Sequence, residues 1–380
     1  MKKKVIIIGG GASGIASAIQ IKKLNPDFQV TILEQNDRIG KKILKTGNGR
    51  CNISNSDLCP SFYNNPNFVE QCFKKTTLEE IILFFKRIGL LVKNDSSTRL
   101  YPYSESAKTV LEVFLYELNH LGIQVLCNQE VTKIKKEDKF IITSNSSVFV
   151  SDYVIVATGS MAQEKTKGYQ LLKHLGHEIT LLRPGLVALR TVENLKPLQG
   201  IRIKCKASIY NNNQLAHQEE GEILFKDQGL SGILALNLSR YVGENCKVFL
   251  DLFPNTENIE EELREILKYK NINDTLLGIL PKMIVYEVLK RSDNSFENIY
   301  NNLRSLSFAI NGDYGFEQAQ IVLGGVDAAE VNADFSSKVI EELYVVGELL
   351  DIDGASGGYN LHFAWVSGII AAKSIFEKNK

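Results

Sequence analysis

Four apolar, β-branched residues at positions 5–8 follow three lysines, and the pattern then changes at once. A short run of this kind suits a buried parallel strand. Lysines, an apolar run and small residues also outline an export signal, but four residues are too few for its apolar core. Glycines come next, then small and apolar residues at helical spacing over 15–24. Asn25-Pro26 ends that helix, and alternation over 28–33 predicts a second strand. Residues 36–55 are glycine-rich and polar, a long loop of the kind that is usually functional in a compact domain. Thr77 and Glu80 have capping-box spacing and predict a helix through Lys86. A short extended segment precedes an amphipathic helix over 106–120, which Gly122 stops. Four short alternating stretches, 123–127, 130–136, 139–143 and 147–150, predict a β-meander. Residues 152–160 read as a buried strand running into a Thr-Gly turn.

The pattern shifts near Arg183-Pro184-Gly185. Short β-rich pieces fill 185–255, helical periodicity fills 256–310, and strand character returns over 311–330. Residues 331–380 give a strand, a glycine-rich turn and a long apolar helix. The fold class expected is therefore α/β. A Rossmann-like nucleotide-binding domain occupies 1–184 and 331–380, with an inserted antiparallel, barrel-like β domain at 185–255 and a helical subdomain at 256–310. Residues 311–330 are expected to be return strands of the insert.

The glycines after the first strand fall at Gly9, Gly11 and Gly14, and an acid, Glu34, closes the second strand. Strand, glycines, helix, strand and acid in that order form a dinucleotide fingerprint. Gly9 permits the turn, Gly11 lets backbone approach a pyrophosphate, and Gly14 lets helix meet strand. Ala12 and Ser13 lie at the helix start, whose free amides favour an anion. Glu34 can accept hydrogen bonds from both ribose hydroxyls and would repel a 2′-phosphate, and Gln35 follows it.

Composition sets limits on partners. Of 380 residues 44% are hydrophobic, and Lys+Arg and Asp+Glu are both 44, so no global charge draws the chain to nucleic acid or anionic lipid. No apolar stretch reaches membrane-span length, and the six cysteines include no CxxC or zinc spacing. Reduced thiols and a cytoplasmic location are expected, with no metal and no protein partner.

The opening fingerprint suits FAD or NAD equally. A late segment, "LYVVGELLDIDG", places Gly347 and Glu348 at a second strand end, as an extended FAD requires at its ribityl chain. "GASGGYNLHFAW" then opens a helix whose first amides, after Gly357, Gly358, Tyr359 and Asn360, can face the flavin edge that gains negative charge on reduction. Ala157, Thr158 and Gly159 give another close backbone approach. No second GxGxxG follows a strand, so a dedicated NAD(P)H domain is not expected, although NAD(P)H can serve as a transient electron donor. The absence of CxxxxC removes dithiol–disulfide exchange.

Long motifs then carry a resemblance: "GKKILKTGNGRCNISN", "RLYPYSESA", "VIVATGS", "LFKDQGLSG", "LGGV" and "VVGELLDIDGASGGYNLHFAW". From residue 5 to about 374 the chain resembles the BaiN/YhiN-like family of bacterial FAD-dependent oxidoreductases, the family that also includes aminoacetone-oxidase-like proteins. The resemblance implies bound FAD in a glutathione-reductase-type fold. It points to Lys42, Gly49, Arg50, Cys51, Asn52 and Val131 as further cofactor contacts. It also implies a choice of reactions: reduction of oxo-bile-acid dienes, oxidation of aminoacetone, or conversion of a ribosomal RNA uridine to dihydrouridine.

Flavin carries hydride itself, so the protein must orient substrate and supply a proton. Cys51 beside Arg50 is a candidate acid, or else a small residue packed beneath the flavin. Arg50 is a candidate for binding anionic flavin or a substrate anion, or for tying loop carbonyls. Tyr101 and Tyr103 are possible proton donors or packing residues, and His362 is a further candidate near the flavin pyrimidine edge. The leading expectation is reduction of a carbonyl-conjugated C=C bond, with uridine in ribosomal RNA or a small enone as substrate. An amine oxidase using O2 and a non-catalytic flavin-binding redox sensor are the alternatives. RNA would need a basic face, for which residues 40–45 and 202–206 are candidates, against the reading that these are solvated lysines.

Overall fold

The computed structural model describes residues 2–293 and 295–380. By contact the chain divides into two units, Met1–Arg183 with Ile321–Lys380, and Pro184–Gln320.

The first unit is built on a five-stranded parallel sheet. Strand Lys4–Ile8 lies at its centre, between Gln29–Leu33 and Tyr153–Val156, with Gln124–Leu126 and Leu343–Val345 at the edges. Val5 and Ile7 are wholly buried, as a central parallel strand covered on both faces requires. Helix Ala12–Leu24 packs against the last helix, Tyr359–Glu377, at close range. A Cβ on Gly368 would lie 2.4 Å from the Ser13 carbonyl oxygen. Thr77 and Glu80 form the expected capping box, both bonds present, at the start of helix Leu78–Arg87.

One predicted strand belongs elsewhere. Of the four expected in a meander, only Val131–Lys136, Phe140–Ser144 and Val148–Ser151 pair antiparallel. The first, Gln124–Leu126, extends the parallel sheet, because its register follows Thr31–Leu33. Periodicity cannot separate the two, since a three-residue edge strand alternates in either sheet.

The second unit is a closed six-stranded barrel: Leu189–Thr191, Gly229–Ser231, Gln214–Lys226, Arg202–Asn211, Lys247–Asp251 and Leu306–Asp313. The helical stretch does not form a unit of its own. Ile284, Val288, Ile299 and Leu303 share one core with Ile209, Phe225, Val248 and Phe308 of the barrel, so the helices cap it. Strand Leu306–Asp313 also begins inside the segment expected to be helical, and closes the barrel against Leu189–Thr191. The return strand expected over 311–330 divides at the unit boundary: Ile321–Leu323 lies with the first unit.

Candidate cofactor site

The glycine turn after the first strand is fixed by backbone collisions. Gly9 has φ +108°, and a Cβ there would meet the Ala157 carbonyl oxygen at 2.3 Å. Gly14 would place its Cβ 2.1 Å from the Gly9 carbonyl oxygen. The first turn and the Ala157-Thr158-Gly159 turn are thereby pressed together, and Ala157 N–H donates to the Ile8 carbonyl. Gly11 differs: nothing lies within 4 Å of where its Cβ would be, and its φ of −87° is ordinary. It begins helix Ala12–Leu24 without a side-chain cap, which leaves the first-turn amides facing open space. Gly159 and Gly49 have the same open approach.

Glu34 is buried at the end of its strand. Its Oε2 accepts the Gly10 amide at 2.8 Å, and its Oε1 accepts the Asn36 amide and side-chain Nδ2 at 2.8 and 2.7 Å. Three of roughly four acceptor positions are used, so about one remains for a ribose hydroxyl, not the expected two. Gly10, absent from the sequence-based site, therefore holds the acid. A Cβ at Gly10 would also strike Ile39 at 2.3 Å. A cleft of about 620 Å³ opens beside this end, lined by Gln35, Asn36, Lys41, Lys45, Asn128 and Glu130. Val131 is buried at the start of its strand, two residues past a Gln129 amide that donates to Glu34.

The second acid gathers three separate segments. Glu348 Oε2 lies 2.5 Å from Lys42 Nζ, and its Oε1 accepts from Ser160 Oγ at 2.7 Å and from the Val322 amide at 3.2 Å. Ser160, like Gly10, lies outside the expected contacts, although it directly follows the Ala157-Thr158-Gly159 turn. Tyr169 stands behind this cluster. Its hydroxyl is buried without a partner among the described residues, and burial with the charges of Glu348 and Asp351 raises its pKa, so it stays protonated.

The loop after Lys42 explains its own sequence. Gly47, Asn48, Gly49 and Cys51 all have φ between +53° and +82°, the left-handed region where Gly and Asn are favoured. Arg50 lies between them with its guanidinium 4.7 Å over the Tyr101 ring and 3.7 Å from Glu105. Cys51 is 0% exposed. Burial pushes its thiol up to about 12, against a hydrogen bond with Thr46 that lowers it. In this placement the thiol is neutral and packs into the core. Tyr101 is buried, whereas Tyr103 is 64% exposed and takes Lys93 over its ring.

The start of the last helix is locked to the same loop. A Cβ on Gly358 (φ +102°) would lie 2.5 Å from the Ser54 carbonyl oxygen and 2.9 Å from Asn52 Oδ1. Asn55 Nδ2 donates to the Gly357 carbonyl, Tyr63 hydroxyl donates to the Tyr359 carbonyl, and Asn360 clasps Gly354 through both its amide atoms. His362 is fully buried, its Nδ1 2.9 Å from Ser54 Oγ. Its Nε2 and Asn52 Oδ1 are buried without partners among the described residues. Desolvation lowers the His362 pKa to about 3.

That depressed value sets a pH window. The unfolded histidine takes up a proton near pH 6.5 and the folded one does not, so stability is full above pH 6.5 and drains as pH falls towards 3. At pH 4.5 the His362 contribution is a loss of about 2–3 kcal/mol. His362→Gln is expected to flatten that part of the urea-midpoint profile between pH 7 and 4.5. An unchanged slope in the variant would refute it.

Two acid-ended strands, open glycine faces at Gly11, Gly49 and Gly159, and an orphaned Asn52 Oδ1 fit an extended dinucleotide. The fold and this site together define an FAD-dependent oxidoreductase. The chain belongs to the HI0933-like Rossmann-domain family, whose model matches residues 3–374. It is 32% identical to the 3-dehydro-bile acid Δ4,6-reductase of Clostridium scindens, over 99% of each chain. It is 29% identical to the ribosomal RNA dihydrouridine synthase of Haemophilus influenzae, over 97% of this chain and 98% of that one. Among solved structures, 3-ketosteroid Δ1-dehydrogenase from Sterolibacterium denitrificans superposes with a TM-score of 0.50 at 10% identity. That match covers 99% of this chain and 100% of the other, and shows the likeness of fold. No helix among the described residues is long and apolar enough to cross a membrane, and no group of three or more potential metal ligands occurs among them.

Proposed function

We propose that this protein reduces a C=C bond conjugated to a carbonyl, in uridine of ribosomal RNA or in a small enone, with NAD(P)H as the electron donor. One observation carries the reading. Full-length relatives are named for two substrates that share one reaction, since a 3-oxo-Δ4,6 steroid and the uracil ring both present an alkene conjugated to C=O. FAD, when bound, would supply the hydride that this reduction needs. The chain's part is to hold that cofactor, orient the carbonyl and deliver one proton to the α-carbon.

The cofactor would be held by Gly11 and the first-turn amides, by Glu34, and by the Lys42–Glu348–Ser160 cluster. Amides at the start of helix Tyr359–Glu377 would favour the negative charge that a flavin gains on reduction. Arg50, half-exposed over Tyr101, is placed to meet an anionic or carbonyl group. The enclosed Cys51 thiol is a poor proton source. Cys51→Ala is expected to keep the reduction rate within about threefold and to lower stability by about 1–2 kcal/mol through lost packing. A hundredfold loss of rate with FAD retained would reinstate the thiol as the acid.

The reaction is tested by reducing the FAD-loaded protein anaerobically and mixing it with oxidants while following the flavin absorbance. Rapid reoxidation by a conjugated enone or by ribosomal RNA lacking dihydrouridine supports the reading and selects the substrate. Rapid reoxidation by O2 alone defeats it and favours an amine oxidase.

A further inference from the structure

The basic run at 202–206 faces acids across the barrel sheet. In the barrel Lys204 lies opposite Glu222, Lys206 lies opposite Glu220, and Arg202 pairs with Glu222 at 2.5 Å. The neighbouring rows are different. Arg190 and Lys226 both lie opposite Gly229, one from each side, so the three share one face of the sheet. That face points outward, because the adjacent Leu189, Leu230 and Phe225 fill the barrel core.

Gly229 has no room for a side chain, since its Cβ would lie 2.0 Å from the Leu189 carbonyl oxygen. Tyr314, just past strand Leu306–Asp313, serves both cations. Lys226 Nζ is 4.0 Å and Arg190 Cζ 4.9 Å from its ring centroid. Neither cation forms an ion pair among the described residues. Asp227 is the carboxylate Tyr314 feels, and its Oδ1 is engaged by the Gln228 amide. Two like charges are thus held at one aromatic ring with no acid paired to either. The ring's quadrupole offsets part of that repulsion. An anion offsets more, and a phosphodiester backbone can offer one phosphate to the Arg190 fork and a neighbouring one to the Lys226 ammonium.

We propose that the Arg190–Tyr314–Lys226 face of the barrel binds the phosphodiester backbone of an RNA substrate. This rests on the reading of ribosomal RNA as the substrate. The contact is one of position, not of sequence, because phosphates carry no base information.

Fluorescence anisotropy of the FAD-loaded full chain with a labelled single-stranded ribosomal RNA fragment, between about 50 and 200 mM KCl, tests it. Arg190→Gln with Lys226→Gln should weaken binding about tenfold and make the log K against log salt slope shallower by about 1.4, two phosphates at 0.7 each. Arg190→Lys with Lys226→Arg should keep the slope, and Lys204→Gln with Lys206→Gln should leave binding within about twofold. Thermal midpoint and bound-FAD absorbance confirm that each variant is folded. Equal slopes in the wild type and the double Gln variant would overturn this face while leaving RNA as the substrate. No salt-dependent RNA binding by the wild type, with rapid turnover of an enone, would overturn both.

Discussion

Gly9→Ala is expected to yield a chain that neither folds stably nor retains FAD, whereas Gly11→Ala should fold normally and lose FAD alone. The two glycines stand two residues apart and differ in one physical respect. A methyl at position 9 meets the backbone oxygen of Ala157 at 2.3 Å, at a φ of +108° that alanine rarely adopts. The obstacle is main chain in the central strand-to-turn region, so relief means shifting the sheet. A cost of about 3 kcal/mol or more is expected. At position 11 the methyl meets no protein atom, and φ is ordinary. It would instead stand where a pyrophosphate approaches the helix amides. Thermal midpoints without added FAD, followed by FAD titration, separate the two. Gly11→Ala with unchanged FAD affinity would remove the pyrophosphate from this turn.

Glu348→Gln should cost the most of any single change in the cofactor cluster. Its carboxylate is only a fifth exposed and answers one cation and two neutral donors at once. An amide nitrogen turned towards Lys42 leaves a half-buried ammonium facing a donor. Breaking such a pair from one side costs about 3 kcal/mol. FAD affinity should fall with it, about tenfold to a hundredfold, because loop 43–50, Ser160 and the Val322 amide all lose their common anchor. Lys42→Met combined with Glu348→Gln should be less than additive, since the stranded charge is gone. Additive losses in the double variant would show that the pair does not act as a unit.

The site was legible where chemistry is local. Gly9, Gly11, Gly14 and Glu34 could be read from sequence because turn, helix start and strand end all fall within one thirty-residue unit. Glu348 and the 357–360 turn could likewise be read at a strand end and a helix start, and Lys42 came with the long motifs, but their partners did not. Ser160, Tyr169 and Ser54 come next to them only through contacts between distant segments. Ser54 to His362 spans 308 positions. The same gap explains Cys51 and His362. Both residue types suggest reactivity, and burial, which sequence does not print, sets the thiol to about 12 and the imidazole to about 3.

The sequence by itself determined the elements whose signals are short-range. These are the β-branched central strands, the capped helices, the left-handed Gly-Asn-Gly loop and the two acid-ended strands of a dinucleotide fold. Tertiary structure alone decided which short strand joined the parallel sheet, that the helices at 259–304 share the barrel's core, and which lysines stand opposite acids. The reason is physical. Backbone preference acts over a few residues, whereas strand partnership, burial and charge compensation depend on neighbours that the chain brings together only once it has folded.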